Sequence, residues 1–419
     1  MPFRKRFQSS LGFAAILVTA CQSFSEVKVQ DIVPTTGEFT AEAEAFYQNR
    51  YDVLLEAFRS GKLTTDYDTE TSFGENLIAK PLPRSESELP ADVLASLNSY
   101  VEVQGGAESF LIFESGKIIS EKYFGDASAD SLIVAKSLAK PMGVIATGRA
   151  ISAGYIESLD QSVSDFIIEW KGTEKEAIKI RHLLDMRTGL LPQARATGPD
   201  DVLNRAYLHP HHDEVIIHEY PIVDQPGTRY EYSNANSELV AIVISRATGQ
   251  SYQDWLASQV LAPLGATGGK IWLNREGGMA HSGCCAKLTS ETFLKLAVMI
   301  LQKGQWEGET FLPESFIQEM ITPTAQNQFA AMGVYVGKEY SKYRGAAHPD
   351  NKDLIGSLHS EPYLDKDILL FDGNGNQVVY ILPSRNIIMA RLGGRPKAET
   401  PWDNSFLPNA LVRGLEESN

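Results

Sequence analysis

Ser137-Leu138-Ala139-Lys140-Pro141-Met142-Gly143-Val144-Ile145-Ala146 is the stretch on which the fold reading turns. Residues three apart on a helix share a face, so a helix starting here brings the Ser137 hydroxyl and the Lys140 amine together. Pro141 fits such a start, because first-turn N–H groups have no intrahelical partner. The small apolar run behind it suits a buried helix. A lysine must be neutral to take a proton from serine, and burial at a helix N-terminus favours the neutral amine while also favouring an oxyanion there. A Ser-x-x-Lys spacing alone carries little weight, since it arises by chance and lysine usually sits in solvent.

The flanks give the spacing its meaning. Downstream come Gly154-Tyr155-Ile156, Leu159-Asp160 and Val163-Ser164-Asp165-Phe166, then Ile180-Arg181-His182-Leu183-Leu184 and Thr188-Gly189-Leu190. Further on, Pro226-Gly227-Thr228-Arg229-Tyr230-Glu231-Tyr232-Ser233-Asn234 leads into an apolar helix from Glu238, followed by Gly249-Gln250-Ser251-Tyr252 and Pro263-Leu264-Gly265. Taken alone, Ser233-Asn234 would read as a turn. A phenol beside an ammonium loses its proton more readily, so Tyr232 can act as acid or base toward Ser137.

From about residue 89 to 417 the chain resembles the β-lactamase-related serine hydrolases: class C β-lactamases, penicillin-binding proteins, esterases and nylon-oligomer hydrolases. The resemblance implies an α/β (α+β) fold of β-lactamase/DD-peptidase type, an antiparallel sheet flanked by helices plus an all-helical region, with the site between them. It makes Ser137 the nucleophile, Lys140 and Tyr232 its general bases, and Asn234 a group that holds Lys140 or the substrate carbonyl. The third motif departs from the penicillin-recognising pattern. Phe371-Asp372-Gly373-Asn374-Gly375-Asn376-Gln377 stands where those members carry Lys-Thr-Gly or His-Thr-Gly. It is closer to the Gly-x-x-Gly-Gln of the esterase and nylon-oligomer hydrolase branch, with Asn376 in place of the second Gly. Asn374 then takes the place of the cation, and the backbone N–H of Gln377 joins that of Ser137 as the oxyanion hole. The motif offers no positive charge for a substrate carboxylate, although Arg391 or Arg395 could replace it.

The ends and the composition set the context. The 419 residues are 43% hydrophobic and carry a formal net charge of −15. That balance disfavours nucleic acid, whose phosphates need clustered Lys and Arg. Arg4, Lys5 and Arg6 precede a short apolar core, Leu11 to Val18, so residues 1–20 read as an export signal, too short for a membrane span. Val18-Thr19-Ala20-Cys21 resembles a bacterial lipobox, with Cys21 lipidated. By the usual sorting rule Gln22 directs such a protein to the outer membrane, facing the periplasm. Residues 21–88 read as anchor linker and N-terminal extension packed on the body, and 89–419 as the hydrolase domain. Of three cysteines, Cys284 and Cys285 remain; a vicinal disulfide is open to them, but two small buried thiols are the favoured reading.

Helical periodicity marks 39–58, 91–103, 239–247, 252–261, 291–302 and about 403–417. Hairpins are expected around Gly116 and at 378–382 with 387–390, so strands at both ends of the chain should build one sheet. The pair His211-His212 in the Pro-containing run 209–213 reads as surface rather than metal site, in a loop that covers the cleft, and His182 and His281 read as structural. No Gly-x-Ser-x-Gly elbow occurs. The expected partners are a small-molecule ester or amide and, through lipid, a membrane; no cofactor or metal is called for. The rivals are a β-lactamase or DD-peptidase, a catalytically silent envelope-binding protein of the same fold, and a metal hydrolase built on the His209 cluster.

Overall fold

The computed structural model describes residues 39–60, 67–194, 196–345 and 356–417. The expected signal and lipidation site at Cys21 lie outside them. Helix α1 (Ala41–Arg59) is followed by β1 (Glu70–Phe73), α2 (Ala91–Gln104), β2 (Ala107–Glu114), β3 (Lys117–Tyr123), β4 (Ile133–Val134), α3 (Ala139–Ser152), α4 (Val202–Leu208) and α5 (Asn234–Thr248). Then come β5 (Gly269–Trp272), β6 (Ala286–Leu288), α6 (Ser290–Leu301), β7 (Tyr335–Val336), β8 (Leu369–Gly373), β9 (Gln377–Leu382), β10 (Ile387–Gly393) and α7 (Phe406–Glu417).

The main sheet has six antiparallel strands in the order β3-β2-β10-β9-β8-β7. As expected, it joins the two ends of the chain. Strand alternation sends Phe110, Ile112, Tyr380 and Met389 to one face, against Leu97 and Val101 of α2 and Leu407 and Leu411 of α7. The alternate residues Leu111, Phe113, Val379 and Ile381 face α6 and α3 in the larger core. The helix after Ser137 is buried almost all round, which explains its small residues. A Cβ on Gly148 would fall 2.6 Å from the Phe316 ring.

A second sheet, order β1-β5-β6-β4, was not legible in the sequence. Its strands run two to four residues, too short to show a period of two. It matters because β4 delivers the chain to Ser137, and the Ala135 N–H continues its ladder to the Ala286 carbonyl at 2.7 Å. Residues 39–60 and 67–88 are integral to this side of the molecule. Strand β1 pairs with β5, and Arg50 of α1, 5% exposed, bonds Asp68 at 2.7 and 2.8 Å and the carbonyls of Leu208 and Asn274 at 3.0 and 2.7 Å.

Two expectations are corrected. Cys284 and Cys285 are joined as a vicinal disulfide rather than being separate thiols. In an extended strand neighbouring side chains point to opposite faces. Here φ of +67° at Cys285 and the Ala286 N–H to Cys284 carbonyl bond at 2.8 Å make a tight turn that breaks the alternation. Within the run expected on the surface, His209 and His212 are buried: Phe39, tilted at 4.2 Å, and Tyr47 of α1, at 5.6 Å, cover His209, and His212 stacks on His281.

Candidate active site

Ser137 sits in a single 3-10 turn, Lys136–Leu138, that runs directly into α3. Lys136 before it has φ of +49°, a left-handed conformation that costs a non-glycine residue about 1–2 kcal/mol. This kink lets β4 end and a helix start within two residues, with the hydroxyl at the junction. The end of β8 packs on the same turn: a Cβ on Gly373 would lie 3.2 Å from the Leu138 side chain and 3.3 Å from the Ala135 carbonyl.

The predicted nucleophile and bases meet. Ser137 Oγ and Tyr232 OH are 2.8 Å apart, and Lys140 Nζ donates to Ser137 Oγ at 3.2 Å. Lys140 Nζ donates also to Asn234 Oδ1 at 3.1 Å and to the Gly283 carbonyl at 2.9 Å, and lies 4.9 Å from the Tyr232 ring centre. Three acceptors in fixed directions orient an amine that is only 8% exposed. Asn234 opens α5, and its own amide donates to Gln193 Oε1 at 3.1 Å, while the Gln193 N–H bonds the Tyr232 carbonyl at 2.7 Å. Gln193 and Gly283 were missed in the sequence. Neither residue type is a catalytic signal, and their contacts with Tyr232, Asn234 and Lys140 span 39 to 143 positions.

The third motif is divided between cleft and core. Asn374 lines the cleft with Ser137. The Gln377 side chain does not: its amide donates to the Val134 carbonyl at 2.9 Å and its Oε1 accepts from the Gly393 N–H at 2.9 Å, which clamps β4 to β10. Asp372 accepts from the Asn404 amide at 3.2 Å, and burial pushes its carboxyl up to about 6. Of the two arginines held in reserve, Arg391 is buried and bonds the carbonyls of Gly375 and Gly105 at 2.9 and 3.1 Å. Arg395 lines the cleft, 3.5 Å from Asn374 Oδ1. The positive charge that the motif lacks is thus supplied from beyond β10. Lys136 lines the same end, donates to Tyr67 OH at 3.0 Å, and is pulled down to about 8 by burial and by Lys287 and Arg395.

The cleft has a volume of about 510 Å³. Beneath it lies a buried cluster of His212, Glu238 and His281, whose ligand-type atoms lie within 4.8 Å of one another. Burial holds both imidazoles neutral, down to about 3, and raises Glu238 to about 6. None of these side-chain N and O atoms makes a hydrogen bond of acceptable geometry, although the Ser282 and Gly283 N–H groups lean on the carboxylate. Two imidazoles and a carboxylate are a zinc-type donor set. The imidazoles, however, stack 4.3 Å apart with planes 16° apart, and Trp272 stacks on His281 at 3.9 Å. Lone pairs lie in the ring planes, so stacked rings do not aim at one ion; as arranged, the trio is a packed polar cluster. His209, the other part of the set-aside metal reading, accepts from the His211 N–H at 3.1 Å.

The site is thus a serine hydroxyl at a helix start with a lysine and a tyrosine both in contact with it. Residues 99–402 match the family model described as Beta-lactamase, and the chain belongs to that family, whose members are serine hydrolases. Among curated relatives, Protein flp of Staphylococcus aureus is 24% identical over 170 residues, 38% of this chain and 33% of that protein; the chain thus matches about a third of its length. Among solved structures, a protein assigned as a 6-aminohexanoate-dimer hydrolase from Bacillus anthracis is similar at 15% identity with a TM-score of 0.59, over 92% of this chain and 96% of that one. A class C β-lactamase from Rhodobacter sphaeroides is similar at 17% identity and TM-score 0.54, over 78% and 99%. At these identities the structures speak for the fold.

Proposed function

We propose that the chain cleaves an ester or small amide through an acyl-enzyme on Ser137. The observation that carries this reading is the continuous contact of Tyr232 OH, Ser137 Oγ and Lys140 Nζ, at 2.8 and 3.2 Å. As Oγ attacks the carbonyl carbon, the neutral Lys140 amine takes the single Ser137 proton, directly or through the Tyr232 hydroxyl, which passes on one proton for each it receives. Asn234 and the Gly283 carbonyl keep the amine aimed. The oxyanion is received by the Ser137 N–H and by the β8–β9 turn; because Asn374 lines the cleft, we assign the second donor to its N–H in place of that of Gln377. When the tetrahedral intermediate collapses, Tyr232 returns a proton to the leaving alkoxide or amine. Water, deprotonated by the same groups, then attacks the acyl ester and restores Ser137.

A second reading, β-lactamase or DD-peptidase activity, is favoured by Arg395, a cation placed where a substrate carboxylate can reach it. A catalytically silent binding protein gains no support from a hydroxyl held by both bases.

We further propose export, with lipid on Cys21 and an outer-membrane location facing the periplasm, on the order of basic, apolar and Val-Thr-Ala-Cys segments. Among the described residues no helix is long and apolar enough to cross a membrane.

The testing experiment is steady-state turnover of nitrophenyl esters by Lys140→Ala and Tyr232→Phe. Each should lose at least about a hundredfold in kcat, the usual worth of a positioned base. Wild-type kcat in a folded Lys140→Ala protein would overturn the reading.

A further inference from the structure

The cleft is not made by the family-matched segment alone. Helix α1 lies outside residues 99–402, yet its Tyr51, Leu54 and Leu55 form one wall of the cavity that holds Ser137. Positions 51, 54 and 55 stand at i, i+3 and i+4 and so share one helix face. The helix is fixed in that orientation. Arg50 is buried in its bonds to Asp68, Leu208 and Asn274, Glu44 takes both Arg205 nitrogens at 2.7 and 2.8 Å, and Tyr47 OH donates to the Pro199 carbonyl. Leu203, Ala206 and Tyr207 of α4, which packs against α1, line the same cavity. The lining is thus of two kinds: polar and charged groups at Ser137, Asn234, Asn374 and Arg395, and an apolar half carried by α1 and α4. Val53, on another face of the same helix, is 56% exposed.

We propose that this apolar half is a subsite for the hydrocarbon part of the substrate's acyl group, and that α1 is the wall limiting its length. The assignment rests on Ser137 being the acylated residue. Substrates are then esters or amides of medium-length aliphatic or small aromatic acids rather than acetyl compounds. Each methylene moved from water to such a surface should raise kcat/KM about fourfold until the wall is met.

The test is kcat/KM for nitrophenyl acetate, butyrate, hexanoate and octanoate with wild type, Leu54→Trp, Leu55→Trp and, as control, Val53→Trp. Wild type should favour the longer chains over acetate, and each of the two wall variants should lower the octanoate-to-acetate ratio at least tenfold, with the Val53→Trp ratio as in wild type. The same profile is read without turnover by calorimetric binding of methyl alkyl ketones of four to ten carbons to Ser137→Ala protein. That arm separates the two claims: turnover surviving in Ser137→Ala removes the nucleophile reading, whereas the length profile bears on the wall. A ratio unchanged in both wall variants, or ketone affinity independent of chain length, would overturn the proposal.

Discussion

Replacing Glu238 by Gln should make the protein more stable at neutral pH, although the residue is buried in the core beside the active site. The carboxyl is 1% exposed, and its two oxygens lack hydrogen bonds of acceptable geometry. Burial raises it from 4.5 to about 6, despite the nearby Lys140 and His212. A carboxyl that holds its proton more tightly in the folded state lowers stability as pH rises. Below 4.5 both states are protonated and there is no effect. Between 4.5 and 6 the unfolded chain releases its proton and the folded one does not. Above 6 the full penalty applies, about 2 kcal/mol for a shift of about 1.5. Gln keeps the shape and carries no proton to lose. Urea unfolding at pH 5 and pH 8 should show Glu238→Gln ahead of wild type by about 2 kcal/mol at pH 8 and by less than half of that at pH 5. Equal stabilities at pH 8, or an advantage that shrinks as pH rises, would refute the reasoning. A bound cation would do the same, since it would turn the ionised carboxylate into a stabilising group.

Two more outcomes follow from single side chains. Arg395→Ala should lower kcat/KM for a carboxylate-bearing chromogenic cephalosporin about ten- to hundredfold, the loss of one charge-assisted hydrogen bond, and affect a neutral nitrophenyl ester much less; equal effects on both would remove Arg395 from substrate recognition. Arg50→Met should destabilise by about 3 kcal/mol in thermal or urea unfolding, at the low end for a broken buried ion pair because the Asp68 side chain keeps 38% exposure. A loss under about 1 kcal/mol would mean that α1 is held by something other than this contact.

What could be read from the residues was local. Ser137 and Lys140 are one helical turn apart, and Tyr232 and Asn234 flank a helix start, so spacing and lead-in sufficed to nominate them. The hairpin of β9 and β10 and the helices α2, α5 and α6 followed from runs long enough to show a period. The rest depends on contacts between distant positions. Gly283 holds Lys140 from 143 residues away with a backbone carbonyl, which no side-chain pattern encodes. Arg391 and Arg395 could both be named from the sequence, but which of them lines the cleft shows only once β10 is seen to end beside Asn374. Glu238 looked like an ordinary helix residue until α5 set it against His212 and His281. The run around His211 and His212 misled because its polarity reads as surface, whereas Phe39 and α1, arriving from far upstream, cover it.

The most direct test of the account is mass spectrometry of intact protein and of its peptides after brief exposure to a fluorophosphonate and to a panel of activated esters. A single covalent adduct is expected, on the peptide containing Ser137, absent from Ser137→Ala and much reduced in Lys140→Ala. An adduct on another residue, or full ester turnover by folded Ser137→Ala protein, would contradict the claim that Ser137 is the nucleophile.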